Sequence, residues 1–180
     1  MEANDDGIVQ NARQVSSSNC DERPLVAGNI SLLVIHSISL PPGHYGGNEV
    51  EQLFTNTLDC SRHPYFSRLA GLRVSAHFFI RRDGSLVQFV PTHLRAWHAG
   101  ESAWKGRTKC NDFSLGVELE GTEDQEFAAV QYPVLADLTA ILRLRYPIED
   151  IVGHADIAPG RKTDPGSSFD WALYRHLING

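Results

Sequence analysis

The run Ile30-Ser31-Leu32-Leu33-Val34-Ile35-His36 decides how this chain is read. Ile30 to Ile35 is apolar, partly β-branched and of strand length, which predicts a buried central strand. It stops at His36 and breaks at once into Ser37-Ile38-Ser39-Leu40-Pro41-Pro42-Gly43, a loop by its prolines and glycine. A histidine at the end of a buried strand is held in a fixed place.

Working outward, Phe113 to Leu119 alternates strictly, with Phe113, Leu115, Val117 and Leu119 on one strand face and Gly116, Glu118 and Glu120 on the other. Ala76–Ile80 and Leu86–Val90 flank Arg81-Arg82-Asp83-Gly84, whose Asp-Gly pair predicts a hairpin. Val134, Leu135, Leu138, Ile141 and Leu142 recur at helical spacing, which predicts a helix over about 128–145, stopped by Pro147. Ile151-Val152 is a short strand ending in Gly153-His154, and Asp170 caps a last helix over about 171–177. Asn48 opens a short helix to Phe54, while 55–75 reads as irregular with one helical turn. The expected fold class is α/β, one domain of four to six strands with its unusual residues in the loops after them.

Bulk composition agrees. The 180 residues are 42% hydrophobic and 21% charged, ordinary values for one globular domain with a real core. A net charge of −6 excludes a general nucleic-acid binder, so no nucleic-acid partner is expected. Met1 to Pro24 is a polar lead with neither a basic n-region nor an apolar h-region, and 25–180 is expected to hold the core. Without a signal peptide or a membrane-length apolar run, a cytoplasmic monomer that needs no membrane is expected. Cys20, Cys60 and Cys110 match neither a disulfide framework nor a metal knuckle and read as reduced thiols.

Eight histidines invite a metal reading. His36 and His154 each end a strand, and ten residues beyond His154 comes Asp164, in a loop stiffened by Pro159 and Pro165 and opened by Gly160 and Gly166. Two imidazoles and one carboxylate would bind Zn²⁺ and leave a fourth position open, as catalytic zinc requires. By spacing alone such a set is more often incidental. His44, His63, His93 and His176 read as surface or loop residues, and His77, among Phe78, Phe79 and Ile80, as a hydrogen-bonded core residue. His98 reads equally as core or cleft. The face of Glu118 and Glu120 either meets solvent or offers a rigid carboxylate for general-base work. Lys162 is either a solvated loop cation or one that stabilises an oxyanion.

Five segments then fall into one pattern: Ile35 to Gly43, Arg81 to Gly84, Arg95-Ala96-Trp97-His98-Ala99-Gly100, Gly116-Val117-Glu118-Leu119-Glu120-Gly121 and Gly153 to Gly166. Together, and in order from about Ala12 to near the C-terminus, they resemble the zinc N-acetylmuramoyl-L-alanine amidases of the 1,6-anhydro-N-acetylmuramyl type. The resemblance implies a central mixed sheet with flanking helices, shared with phage lysozyme-type amidases and peptidoglycan recognition proteins. It implies one zinc per chain on His36, His154 and Asp164, with Glu118 and Lys162 catalytic and Tyr65 near the site. It also implies Arg73 and Arg161 as partners of the stem-peptide carboxylates and Trp97 as a cleft wall. Ser37 stands where relatives often carry asparagine, which alters a substrate contact rather than the metal site. The implied substrate is a soluble anhydromuropeptide. Two rival readings are a non-catalytic module that binds cell-wall fragments, which typically lacks part of the metal set, and an amidase of intact wall.

Overall fold

The computed structural model describes residues 4–180; Met1 to Ala3, the start of the expected polar lead, lie outside the described residues. In chain order the strands are β1 (Arg13–Gln14), β2 (Cys20–Asp21), β3 (Leu32–Ile38), β4 (Phe78–Ile80) and β5 (Leu86–Gln88). They continue as β6 (Arg95–Ala96), β7 (Ala103–Trp104), β8 (Arg107–Thr108), β9 (Ser114–Glu120) and β10 (Asp150–Gly153). The α-helices are α1 (Glu49–Phe54), α2 (Pro64–Ser67), α3 (Gln131–Arg145), α4 (His154–Ile157) and α5 (Trp171–Asn179). Six strands form one mixed sheet in the order β1-β5-β4-β9-β3-β10, and β2-β6 and β7-β8 form two small ribbons. The α/β class with a central mixed sheet is therefore as the sequence reads.

β3 runs three residues past its expected end at Ile35. Parallel pairing with β9 continues through His36↔Glu118 to Ile38↔Glu120, so His36 lies inside the ladder rather than after it. The hairpin is as read: β4 and β5 are antiparallel, Arg81 N–H bonds the Ser85 carbonyl at 2.9 Å, and Asp83 Oδ1 accepts from Ser85 N–H at 2.8 Å. Asp170 caps α5 through Leu173 N–H, whereas Asn48 precedes α1 without a side-chain cap.

One sheet face is apolar. Leu33, Ile35, Leu115, Val117 and Leu119 pack with Leu135, Leu138 and Leu142 of α3 and Tyr174 of α5. Burying each such side chain contributes about 1.5–3 kcal/mol. The Tyr174 hydroxyl is satisfied by Thr139 Oγ1 at 2.7 Å, so the largest buried ring leaves no polar cost. The opposite face of β3 and β9 carries His36, Gly116, Glu118 and Glu120. It is buried as well, so the reading in which this face meets solvent does not hold.

The segment before Leu25 is more than a lead. Val9 and Ala12 belong to the core, and β1 pairs with β5 at the sheet edge. Buried Gln88 pins this segment, accepting from Val9 N–H and donating to the Gly7 carbonyl, both at 2.8 Å. Arg23 reaches under the sheet to the carbonyls of Asn111, at 2.8 Å, and Ser114, at 2.9 Å. Polar composition hid this packing, because the apolar residues that dock are few and isolated in sequence.

Candidate metal centre and active site

The site forms at the carboxyl ends of β3, β9 and β10, where open α/β sheets leave a crevice for ligands. β3 supplies His36; β9, its register partner, supplies Glu118; β10 ends at Gly153 and hands His154 to the first turn of α4. The loop after α4 turns back and is fixed by Ala155 N–H bonding the Asp164 carbonyl at 2.9 Å. Asp164 Oδ2 is thereby set 3.2 Å from His36 Nδ1 and 3.1 Å from His154 Nδ1, and the two Nδ1 atoms are 2.9 Å apart.

These three atoms suit a metal ion. A tetrahedral zinc site with bonds of about 2.0–2.1 Å sets its ligand atoms about 3.3 Å apart, close to the separations found. All three residues are buried, and among the described residues they are the one group of this kind that converges. Burial pushes the His36 imidazole down to about 4, so at neutral pH it is uncharged and keeps a lone pair to give. Burial alone would raise the Asp164 carboxyl, yet the two imidazoles beside it hold it below the ordinary range, and it is a carboxylate.

Glu118 stands next to this group with a feature shared by few carboxylates: Oε2 is buried and has no hydrogen-bond partner. Burial lifts its carboxyl well above the ordinary range, the charge of Asp164 adds to the rise, and Lys162 opposes it. Glu120, two residues on and also buried, is saturated. Its Oε1 accepts from Gly46 N–H at 2.6 Å and its Oε2 from Arg82 N–H at 3.0 Å.

A cleft of about 710 Å³ opens over these groups and is lined by His36, Ser37, Tyr65, Glu118, His154, Arg161, Lys162 and Asp164 among others. Eight of the ten expected site residues, the three of the metal group together with Ser37, Tyr65, Glu118, Arg161 and Lys162, thus meet at one place. Arg161 forms part of the wall through contacts of its own, donating to the carbonyls of Ala99, at 2.6 Å, and Glu101, at 2.5 Å. The other two expected residues, Trp97 and Arg73, sit beside this group. Trp97 is held beside the β2-β6 ribbon, where its indole N–H donates to Asp21 Oδ1 at 3.1 Å. Arg73 is exposed and lines a smaller neighbouring depression that shares Leu53, Leu69 and Leu72 with the main cleft.

Of the remaining histidines, His77 is a core residue accepting from Gly116 N–H at 3.0 Å, and His63 caps α2. His98, open between core and cleft, is buried with Nδ1 3.0 Å from His36 Nε2. Sequence reading missed its partner Ser114. The available signal was Gly116, a glycine in an otherwise well-packed strand.

Comparison with known proteins bears on all of this. A family model described as N-acetylmuramoyl-L-alanine amidase matches residues 27–167. The chain is 54% identical to the 1,6-anhydro-N-acetylmuramyl-L-alanine amidase AmpD of Citrobacter freundii, over 97% of this chain and 94% of that one. The fold superimposes on the crystal structure of a Se-Met AmpD derivative with a TM-score of 0.95 at 54% identity, covering 99% of both chains. It also matches the Escherichia coli N-acetylmuramyl-L-alanine amidase AmiD in complex with anhydro-N-acetylmuramic acid-L-Ala-D-γ-Glu-L-Lys. There the TM-score is 0.61 at 30% identity, over 89% of this chain and 66% of that one.

Proposed function

The chain belongs to the N-acetylmuramoyl-L-alanine amidase family, and we propose that it hydrolyses the lactyl–L-alanine amide of soluble 1,6-anhydro-N-acetylmuramyl peptides, with one zinc ion per chain, in cytoplasmic peptidoglycan recycling. It is an enzyme of that amidase activity. The finer substrate rests on near full-length similarity to a relative named for the anhydro sugar. The zinc rests on the convergence of His36 Nδ1, His154 Nδ1 and Asp164 Oδ2. In this reading residues 1–180 act as a single amidase domain and as a monomer. No described helix is long and apolar enough to cross a membrane.

An unactivated amide resists water because water is a weak nucleophile and the tetrahedral oxyanion is costly. Zinc, when bound, polarises an oxygen ligand and lowers the pKa of a bound water to about 7. His36, His154 and Asp164 would hold the ion. Glu118 then receives the proton of the attacking water and delivers it to the departing alanine nitrogen. The buried, unpartnered Oε2 is the observation that carries this role: burial raises its proton affinity toward the range a base at neutral pH needs. Lys162, at the cleft rim, sets a positive charge near the developing oxyanion. Ser37, Tyr65 and Arg161 shape and orient the substrate, with Arg161 offering charge to a peptide carboxylate, and Arg73 meets the peptide only where it extends into the neighbouring depression.

Mass spectrometry of an anhydromuropeptide incubated with zinc-loaded protein tests the reading. Free stem peptide beginning with L-alanine, with the anhydro sugar carrying its lactyl acid, is the expected product pair. Intact substrate with stoichiometric zinc present would overturn the amidase assignment. Equal release of peptide from intact sacculi under matched conditions would overturn the recycling assignment alone.

A further inference from the structure

A histidine that gives its Nδ1 lone pair to a metal must carry its hydrogen on Nε2, and that hydrogen needs an acceptor. For His154 the acceptor is direct: Nε2 lies 3.1 Å from the carbonyl oxygen of Ala99, which can only accept. For His36 no carbonyl is at hand. Its Nε2 lies 3.0 Å from Nδ1 of His98, an atom that donates in one tautomer and accepts in the other.

The ambiguity is resolved two steps further on. His98 Nε2 lies 3.2 Å from Ser114 Oγ, and Ser114 Oγ donates to the Cys110 carbonyl at 2.6 Å. A hydroxyl has one hydrogen, and a carbonyl has none to give. The Ser114 hydrogen is therefore spent on Cys110, and only its lone pairs face His98. His98 must then carry its hydrogen on Nε2, leaving Nδ1 bare to accept from His36 Nε2–H. His36 Nδ1 is left with its lone pair, directed at His154 and Asp164. The reverse order would require the single Ser114 hydrogen to serve both His98 and Cys110.

Resting on the zinc reading above, we propose that His98 and Ser114 are positioning residues for the metal centre: a proton-ordered relay, anchored on the Cys110 carbonyl, that fixes His36 in the tautomer a metal ligand requires. A second observation is independent of the hydrogen bonds. Gly116 opposes Val34 in the β3-β9 ladder, and its backbone takes no left-handed conformation that would call for glycine. What it supplies is space: a Cβ there would sit 2.5 Å from His98 Cγ. The strand leaves out one side chain so that the His98 ring can lie flat against it and meet His36 edge-on, with ring centroids 5.0 Å apart.

Two measurements test the relay. In the zinc-loaded wild type, ¹⁵N NMR of the imidazole nitrogens is expected to find His98 with its hydrogen on Nε2 and its lone pair on Nδ1. Ser114→Ala is expected to weaken zinc binding by roughly 10–100-fold, the usual scale for losing a residue that orients a metal ligand, in competition with a chromophoric chelator. The zinc-free variant should remain folded, with its melting temperature lowered by roughly 2–12 °C for the stranded His98 donor. His98 carrying its hydrogen on Nδ1, or a Ser114→Ala affinity within threefold of wild type, would overturn the relay while leaving the zinc reading intact. If Ser114→Ala fails to fold, the wild-type tautomer decides alone. A wild type that holds no zinc overturns both.

Discussion

Glu118 and Glu120 lie two residues apart on one strand face, are both buried, and have opposite fates. Glu120 takes hydrogen bonds from two backbone amides, one in the loop after β3 and one in the β4-β5 turn, and so ties both to the end of β9. Glu118 leaves Oε2 buried without a partner at the edge of the cleft. A buried carboxylate costs stability unless its oxygens are satisfied. Glu120 meets that condition and is scaffold. Glu118 violates it, and in the proposed mechanism the cost falls where a base is needed. Burial alone therefore does not mark a catalytic carboxylate; burial with an unmet hydrogen bond beside metal-binding groups does.

The contrast breaks most visibly in turnover. Glu118→Gln is expected to slow amide cleavage by roughly 10²–10³-fold or more, the scale of losing one transition-state group, with zinc content unchanged by metal analysis. Glu120→Gln retains one acceptor oxygen and should keep most of the wild-type kcat in whatever fraction is folded. An essential Glu120 with a dispensable Glu118 would reverse the assignment.

In stability the order inverts. Glu120→Ala strands the amides of Gly46 and Arg82, and charge-assisted bonds contribute about 1.5–3 kcal/mol each. A loss of roughly 3–6 kcal/mol is expected for the two bonds, and at about 2–4 °C per kcal/mol for a domain of this size the melting temperature should fall by roughly 6–24 °C. Glu118→Gln should melt at or above the wild type when both are free of zinc. Differential scanning calorimetry on the two variants reads both outcomes.

Sequence alone carried the reader most of the way to this site and stopped at a definable point. Periodicity found β3, β9 and α3 because each buries a regular stripe, the Asp-Gly pair found the hairpin, and the strand-end histidines with a stiff Asp164 loop offered a metal set that the family resemblance singled out. It did not separate Glu118 from Glu120, since their difference lies in amides from residues 46 and 82, far away in the chain. His98 stayed open for the same reason: its meaning depends on the hole at Gly116 across the sheet. The hold of Asp21 on the Trp97 indole was equally out of view, because the two residues are far apart in the chain.

The smallest expected effect is the dependence of stability on pH, and its sign is opposite to the usual one for a carboxylate. Carboxylates that are paired or hydrogen-bonded in the folded state are stabilised in their charged form, so the folded state gains as pH rises. Glu118 has a folded-state pKa raised above its unfolded value of 4.5 by burial and by Asp164. The folded protein then binds this proton more tightly than the unfolded chain does, and stability falls as pH rises from about 4.5 through the folded value. Above that window the loss is complete and constant. Glu118→Gln has no proton to lose there, so zinc-free wild type and variant should be closest in stability near pH 4.5 and diverge as pH rises, with the variant the more stable. Urea denaturation of both zinc-free proteins at pH 5 and pH 8 measures the gap. A gap that is absent, or that favours the wild type more at pH 8, would mean that Glu118 finds a partner in solution and that its unmet oxygen is not what distinguishes it from Glu120.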